Sequence, residues 1–284
     1  MKTITLPAIM LLFVIALSGC SKPSGEIKVI TFNIRYDNPR DSINAWPNRK
    51  AIVCRFLGEE KPDLFGLQEA LWWQYEAIDS ALTGYSSVAV GRDDGRKKGE
   101  MNPLFYNSGR FEYVTDSTFW LSSTPSVAGT RGWGASLPRI VTWVKLTDNK
   151  TGKPLFYFNT HFAHDSDSAR LMSARILLAQ VKRIAGDEKF VITGDFNTEP
   201  STMAYSILTA RDQHLIKDSF MISETAPAGP LPTFNGWSDK TGGDRIDYVF
   251  VSNGIKVKNI STLAIKEGPV FISDHWPVRA VIEY

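Results

Sequence analysis

The sequence predicts an α+β fold in which helices cover strands. Segments with the period of β-strands recur along the chain, helix-like segments are fewer, and no low-complexity linker or repeat divides them. The chain has 284 residues, of which 43% are hydrophobic, which is ample apolar material for a core. One large domain is the simpler interpretation.

The strand-like segments are apolar or alternating and are bounded by residues typical of turns. They are Ile27–Asn33, Ser87–Gly91, Pro103–Tyr106, Arg139–Leu146, Leu155–Thr160, Phe190–Gly194, Asp247–Ser252 and Val278–Glu283. A further short apolar strand is predicted within residues 62–69. Several of these segments begin or end in polar loops, and a rigid sheet presents chemical groups at one rim in this way.

The helical period lies between the strands. It predicts helices at Asn48–Glu59, Leu71–Leu82, Ser168–Ala185 and Thr202–Leu208. The longest has a continuous apolar face, formed by Leu171, Ala174, Ile176, Leu177, Val181 and Ile184. Such helices are expected to cover a sheet with that face.

The amino terminus has the features of an exported protein's leader. Lys2 is followed by an apolar run from Leu6 to Leu17, too brief for a comfortable membrane span, and small residues precede Cys20. This pattern resembles the bacterial lipobox, in which the cysteine is lipidated; a structural anchor helix is the alternative. The sequence predicts a signal peptide at residues 1–19, a tether at 20–26, a folded domain at 27–284, and a membrane-anchored lipoprotein of the bacterial envelope.

The net charge and the cysteine content bear on possible partners and on disulfide bonds. The formal net charge is only +2, so nucleic acid is a possible partner that charge does not indicate. The one basic cluster is either a solvated loop or a phosphate-contacting loop and contains Arg92, Arg96, Lys97 and Lys98. If Cys20 carries lipid, Cys54 has no disulfide partner, and its apolar helical surroundings predict a buried, inert thiol.

Polar residues at three strand ends are candidates for chemistry. Asn33 closes the first strand, Glu69 follows a short apolar strand, and His161 ends the run from Phe156. A carboxylate at such a position is a candidate ligand for a hard cation such as Mg²⁺. Each also has a structural interpretation: a turn-forming asparagine, a helix-capping acid and a core histidine.

The most specific segment is the strand that ends in Gly194, Asp195 and Asn197. The glycine lets a ligand approach the backbone, the carboxylate can orient or deprotonate water, and the amide can donate to a phosphoryl oxygen.

Two later acids need a joint interpretation. Asp247 opens one strand, and Asp274 with His275 precedes the last. A carboxylate bonded to His275 would fix its tautomer and raise its pKa, which would favour an imidazolium beside a phosphoryl transition state. Asp274 could not easily do both this and bind a metal.

Six motifs in this order resemble the endonuclease/exonuclease/phosphatase superfamily, whose members are similar to deoxyribonuclease I. They are TFNIR, LQE, NTHF, GDFN, RIDYVFV and SDHWPV. The resemblance covers residues 27–284 and implies a catalytic domain with a two-sheet β-sandwich flanked by helices, a four-layer α/β/β/α arrangement. It also implies a monomer that hydrolyses a phosphodiester or phosphomonoester by in-line attack of water, with Mg²⁺ or Mn²⁺.

The resemblance implies a role for each site residue. Glu69 would be the principal metal ligand, with Asn33 and Asp274 near the same ion. Asp195 would activate the attacking water. The remaining roles concern the phosphate and its neighbours: Asn197, His161 and His275 would hold the phosphate, Asp247 would orient His275, Glu100 would support His161, and Arg139 would contact substrate.

Alternatives remain open at this point. A surface-anchored binding lipoprotein could keep the fold without catalysis, and a zinc hydrolase could use His161, His164 and Asp165. Aromatic side chains could line a substrate groove or pack in the interior, namely Trp72, Trp73, Trp133 and Trp237. The sequence does not separate monoester from diester substrates.

Overall fold

A computed structural model describes residues 25–210, 215–239 and 242–284. The predicted signal peptide, Cys20 and most of the tether therefore lie outside the described residues. Within those residues, no helix is long and apolar enough to cross a membrane.

Strands make up most of the regular structure. In chain order they are β1 Ile27–Asn33, β2 Leu64–Gln68, β3 Tyr85–Val88, β4 Leu104–Asn107, β5 Phe111–Trp120, β6 Ile140–Asp148, β7 Lys153–His161, β8 Phe190–Asp195, β9 Ile216–Asp218, β10 Asp247–Ser252, β11 Lys256–Thr262, β12 Lys266–Glu267, β13 Val270–Phe271 and β14 Val278–Glu283. The helices are a 3₁₀ helix at Pro39–Asn44 and the α-helices α1 Trp46–Glu60, α2 Trp72–Ala81, α3 Asp167–Ala185, α4 Met203–Leu208 and α5 Ser219–Ile222.

The strands form two six-stranded sheets. The order in the first sheet is β11-β14-β1-β2-β4-β3, and in the second it is β5-β6-β7-β8-β10-β9. An apolar core lies between them, with Val29 and Leu64 of the first sheet against Tyr157 and Val249 of the second. The expected two-sheet sandwich is confirmed.

Helices cover the outer face of each sheet. Val53 and Phe56 of α1 pack on the first sheet, and Leu177 and Val181 of α3 pack on the second. These apolar positions are spaced three or four residues apart, as expected for a helix with one buried face. The four-layer α/β/β/α arrangement follows from them.

The structure adds strands that the sequence patterns did not predict, chiefly β5, β9 and β11. In β5 the stretch from Glu112 to Thr115 is exposed, because the strand lies at an edge of its sheet. An edge strand buries little of its length, so the alternation that signals a strand is weak there. The predicted strand at Ser87–Gly91 begins two residues earlier, at Tyr85.

Strand register brings the polar strand ends together. His161 of β7 pairs with Asp195 of β8, and Asp195 pairs with Asp247 of β10. In the first sheet, Asn33 of β1 pairs with Gln68 of β2, and Glu69 follows directly. Side chains paired across adjacent strands lie on the same face, so both sheets contribute polar groups to one edge of the sandwich.

A buried polar network joins the sheets behind this edge. Asn159 accepts from Gln68 (2.7 Å) and Thr193 (3.0 Å), and donates to the carbonyls of Leu67 (2.7 Å) and Pro103 (2.9 Å). Each polar group of the Asn159 side chain therefore has partners, which removes the cost of burying it. The network links β2 to β7 and β8.

Candidate active site

The site is a cleft of about 670 Å³ at the edge where the strands of both sheets end. Most of the residues predicted from sequence line it, namely Glu69, Glu100, Arg139, His161, Asp195, Asn197, Asp274 and His275. Asn33 and Asp247 lie behind this surface with side chains that are almost completely buried. The structure therefore brings the predicted set together, while the role of each residue stays a prediction.

His275 and Asp247 form a buried pair across the two sheets. His275 Nδ1 lies 2.8 Å from Asp247 Oδ2, and His275 Nε2 lies 3.8 Å from Asp195 Oδ2. Burial disfavours the charged imidazole, but the carboxylates of Asp247 and Asp195 overcome this and raise its pKa to about 10. His275 is therefore an imidazolium at neutral pH, with Nε2 directed toward the cleft.

Asp195 is a buried carboxyl with donors on both oxygens. Asn33 Nδ2 donates to Oδ2 (2.9 Å), and the backbone N–H of Asn197 donates to Oδ1 (2.9 Å). Burial and the nearby charge of Asp247 raise the pKa of Asp195 to about 7. This carboxyl can accept a proton near neutral pH, as a general base must.

Asn197 holds His161 from the loop after β8. The backbone of Asn197 has a φ of 46°, and its Nδ2 lies 3.1 Å from the carbonyl of Phe162 and 3.0 Å from His161 Nε2. Burial and the positive charges of Arg139 and Arg92 lower the pKa of His161 well below its ordinary value. His161 is therefore neutral, and its buried Nδ1 has no hydrogen-bond partner among the residues that the structure describes.

Glu69 and Asp274 are two further carboxylates that line the cleft, and a carboxylate oxygen of Glu69 lies within 4.8 Å of ligand atoms of His161 and Asp195. Glu69 has a φ of 62° and accepts from the backbone N–H of Tyr36 (3.2 Å). Burial and the charge of Glu69 raise the pKa of Asp274. Two nearby carboxylates that repel one another in this way are suited to a divalent cation.

Asn33, predicted to lie near the metal, is buried and bonded to two carboxylates of the site. Its Oδ1 accepts from the backbone N–H of Arg35 (3.0 Å), while Nδ2 donates to Glu69 (3.1 Å) and Asp195 (2.9 Å). Because the backbone N–H can only donate, this network fixes the direction of the amide. Asn33 thus holds the carboxylates of Glu69 and Asp195 in place, and its predicted position near a metal ion stays a prediction.

Arg139 brings positive charge to the cleft floor. The residue is only 5% exposed, and its Nη2 lies 3.0 Å from His164 Nδ1. Within the described part of the chain, its Nε and Nη1 have no hydrogen-bond partner. Burial and the neighbouring Arg92 lower its pKa. Unpartnered buried donors of a guanidinium suit an anion such as a phosphoryl group.

Comparisons with known proteins agree with this site. A sequence model of the Endonuclease/Exonuclease/phosphatase family matches residues 30–275, a span that contains every site residue above. The chain belongs to this family. Its members are phosphoester hydrolases.

Solved structures of the family resemble this member closely. An endonuclease/exonuclease/phosphatase from Bacteroides vulgatus is 36% identical with a TM-score of 0.86, covering 91% of this chain and 98% of its own. A mannosyl-6-phosphatase from Bacteroides thetaiotaomicron is 30% identical with a TM-score of 0.84, covering 91% and 100%. An uncharacterised protein of Acanthamoeba polyphaga mimivirus is 24% identical over 277 residues, covering 90% and 100%.

The expected support of His161 by Glu100 is not what the structure of this family member shows. Both carboxylate oxygens of Glu100 accept from Arg92, at 2.7 and 2.8 Å. Arg92 is therefore a buried part of the site and not part of a solvated basic loop, whereas Lys97 and Lys98 of the same cluster are exposed or nearly so. The pairing places Arg92 behind Glu100, because Glu100 lines the cleft and Arg92 is buried outside its lining.

The zinc interpretation is wrong on geometry. His164 Nδ1 lies against Arg139, and Asp165 accepts from the backbone N–H of Ser136 (2.9 Å). Within the described residues, two groups of three side chains have ligand atoms within 4.8 Å of one another: Glu69, His161 and Asp195, and Asp195, Asp247 and His275. Neither His164 nor Asp165 takes part in such a group.

Only one of the four tryptophans considered from sequence lines the cleft. Trp237 does so together with Tyr36 and Phe234, and the ring of Phe234 lies 5.0 Å from that of His275. Trp72 instead lies under the ammonium of Lys97, at 3.8 Å. An aromatic wall on one side of the cleft follows, and Tyr36 and Phe234 had no sequence signal beyond their closeness to motifs.

Proposed function

We propose that this protein is a phosphomonoesterase that uses Mg²⁺ or Mn²⁺ to hydrolyse the phosphate ester of a small polar alcohol such as a sugar. The observation that carries the proposal is the pairing of an imidazolium, His275, with a carboxyl of pKa about 7, Asp195, in one cleft. Asp195 can accept a proton, and the imidazolium of His275 lies 3.8 Å from it. The two groups together suit attack of water on phosphorus.

The residues present fit a divalent cation. Glu69 and Asp274 offer oxygen ligands, which Mg²⁺ and Mn²⁺ prefer, and the cleft has room for water and phosphate oxygens beside them. When bound there, the ion would neutralise charge that develops on the phosphoryl oxygens.

The protein's own groups supply the remaining chemistry. Asp195 orients a water molecule and accepts its proton. His275 and Arg139 direct donors into the cleft, where they stabilise charge on the phosphoryl oxygens, and Asn197 holds His161 beside them. Asp247 keeps His275 charged and fixes the orientation of its ring, because its carboxylate holds Nδ1–H at 2.8 Å.

A monoester with a compact alcohol suits the cleft. Its volume of about 670 Å³ lies in the range of small-molecule sites. The net charge of +2 gives no extended field for a polyanion. The mannosyl-6-phosphatase that is 30% identical to this chain supports the same class.

The test compares para-nitrophenyl phosphate and bis-para-nitrophenyl phosphate, followed by hexose 6-phosphates, with and without Mg²⁺. We expect metal-dependent turnover with kcat/KM higher for the monoester. Folded protein that hydrolyses neither ester would overturn the proposal and favour the alternative, a binding lipoprotein without catalysis. Higher kcat/KM for the diester would overturn the monoester part alone.

We also propose that the protein is exported and anchored through a lipid on Cys20. The support is the apolar run followed by small residues before this cysteine. Metabolic labelling with a fatty acid should label the full chain, and Cys20→Ser should abolish the label. A labelled Cys20→Ser variant would contradict the proposal.

A further inference from the structure

Arg35 lies among the carboxylates of the proposed metal site. Its Nε is 3.0 Å from Asp41 Oδ2 and 3.6 Å from Asp274 Oδ2, and its Nη1 is 4.0 Å from Glu69 Oε2. Asp41 comes from the 3₁₀ helix, so three separate segments direct negative charge at one guanidinium. The proposed function gives no role to this residue.

The backbone of Arg35 is fixed in an unusual conformation. Its φ is 57°, its N–H donates to Asn33 Oδ1 (3.0 Å), and its carbonyl accepts from Gln74 Nε2 (2.9 Å) and Arg49 (3.3 Å). A positive φ is costly for any residue with a side chain and persists only where contacts impose it. The contacts therefore direct the guanidinium toward the carboxylates.

The side chain is held as well. Its cationic carbon lies 4.5 Å from the centre of the Tyr36 ring, and Asp41, with only 7% of its side chain exposed, accepts from two of its nitrogens. A planar guanidinium held at several points loses little further entropy on keeping its place. Arg35 is thus a fixed positive charge.

Other acids of the cleft have cationic partners of their own. Asp247 is paired with His275, and Glu100 with Arg92. Glu69 and Asp274 are the cleft carboxylates that share Arg35. Sites with two metals hold the ions about 3.5–4 Å apart and need carboxylates to bridge or flank both.

We propose that Arg35 takes the place of a second cation, so that the site, with Glu69 and Asp274 as ligands, would hold a single divalent ion. This inference rests on the proposed metal-dependent function. A second ion on the side of Arg35 would meet a fixed positive charge in place of a free carboxylate.

The test counts bound Mn²⁺ per chain by equilibrium dialysis, and electron paramagnetic resonance detects coupled pairs of ions. We expect one ion in the wild type and in Arg35→Lys, which keeps the charge. Arg35→Gln should bind two, with a spin-coupled signal. Arg40→Gln is the matched control, because Arg40 is an exposed arginine of the same segment outside this carboxylate set.

Two ions in the wild type, or one ion in folded Arg35→Gln, would overturn the inference. Circular dichroism establishes whether each variant is folded. If Arg35→Gln does not fold, the number of ions bound by the wild type still tests the inference. Turnover measured in parallel separates the two proposals. A wild type that binds two ions and turns over refutes the role of Arg35 alone, whereas one that binds none and is inactive refutes the proposed function as well.

Discussion

Glu69 and Asn197 have backbone conformations that residues with side chains rarely adopt. Their φ angles are 62° and 46°, and Arg35 and Trp237, which also line the cleft, have φ angles of 57° and 62°. Each such residue costs about 1–3 kcal/mol, which the surrounding contacts must offset. Backbone strain concentrated at one cleft indicates that the direction of these side chains matters more there than a low-energy backbone conformation.

Asp195→Asn tests the proposed base at the residue scale. The amide keeps the shape of the carboxyl but cannot accept a proton from water. We expect kcat to fall by about 10²–10⁴-fold, measured at saturating monoester and Mg²⁺. The variant should still bind Mn²⁺, and a loss of less than tenfold with retained metal binding would exclude Asp195 as the base.

Asp247→Asn tests the charge on His275. Without the Asp247 carboxylate, the pKa of His275 should fall below about 10, measured by NMR titration of the imidazole in metal-free protein. A histidine with a raised pKa stabilises the fold below its ordinary pKa of about 6.5, and this contribution is lost as pH rises through the folded pKa.

The raised pKa of His275 also makes the free energy of unfolding depend on pH. Between pH 6.5 and 10, wild-type protein should lose more unfolding free energy than Asp247→Asn, measured by urea denaturation at each pH. Equal slopes would show that Asp247 does not set the charge of His275.

At the scale of elements, loops are tied together by buried polar side chains. Arg49 of α1 is fully buried and donates to the carbonyls of Ile34 (2.7 Å) and Ile272 (3.0 Å). These carbonyls belong to the loops that carry Arg35 and Asp274. Arg49 therefore joins both sides of the proposed metal site to the first helix.

Replacing Arg49 should damage this arrangement. Arg49→Met leaves the two carbonyls without their donor, and we expect a loss of about 1–3 kcal/mol of unfolding free energy for each, measured by urea denaturation. Arg49→Lys keeps the charge but cannot reach all the acceptors, so its loss should be smaller. A loss below 1 kcal/mol for Arg49→Met would show that water replaces the contacts.

Gly66 in β2 marks the closest approach of the two sheets. A Cβ there would lie 2.4 Å from Thr193 Oγ1 and 2.5 Å from Asn159 Cγ. Gly66→Ala should cost about 1–3 kcal/mol, because the buried network must shift. Gly58→Ala in α1 is the control: its nearest contact would be 3.8 Å, and alanine favours a helix by about 1 kcal/mol. Thermal denaturation of both variants checks the opposite signs.

Sequence patterns predicted those features that depend on local order. Apolar runs ending in Asn33, Glu69, His161 or Asp195 indicated strand ends, and strand ends meet at one edge of a sheet. The contacts of Arg49 could not be predicted, because one of its acceptors, Ile272, lies 223 positions away along the chain. The exchange of partners at Glu100 depends on side-chain geometry, which no local pattern encodes.

At the scale of the whole molecule, the cleft belongs to neither sheet alone. Glu69 and His275 come from the first sheet, whereas His161, Asp195 and Asp247 come from the second. The proposed divalent cation would bind only the folded chain, because Glu69 and Asp274 lie far apart in the sequence, so it should stabilise the native state by mass action. Millimolar Mg²⁺ or Mn²⁺ should raise Tm, and chelation should reverse the rise and abolish turnover. A Tm that does not respond to either ion would contradict the proposed metal site.

The contacts Asn33–Asp195 and His275–Asp247 each span the junction between the sheets, at 2.9 and 2.8 Å. A slight parting of the two layers would break both while every strand and helix stayed intact. The catalytic rate would then report how closely the two sheets pack together. In rising urea, enzymatic activity should disappear at a lower concentration than the circular dichroism of the helices.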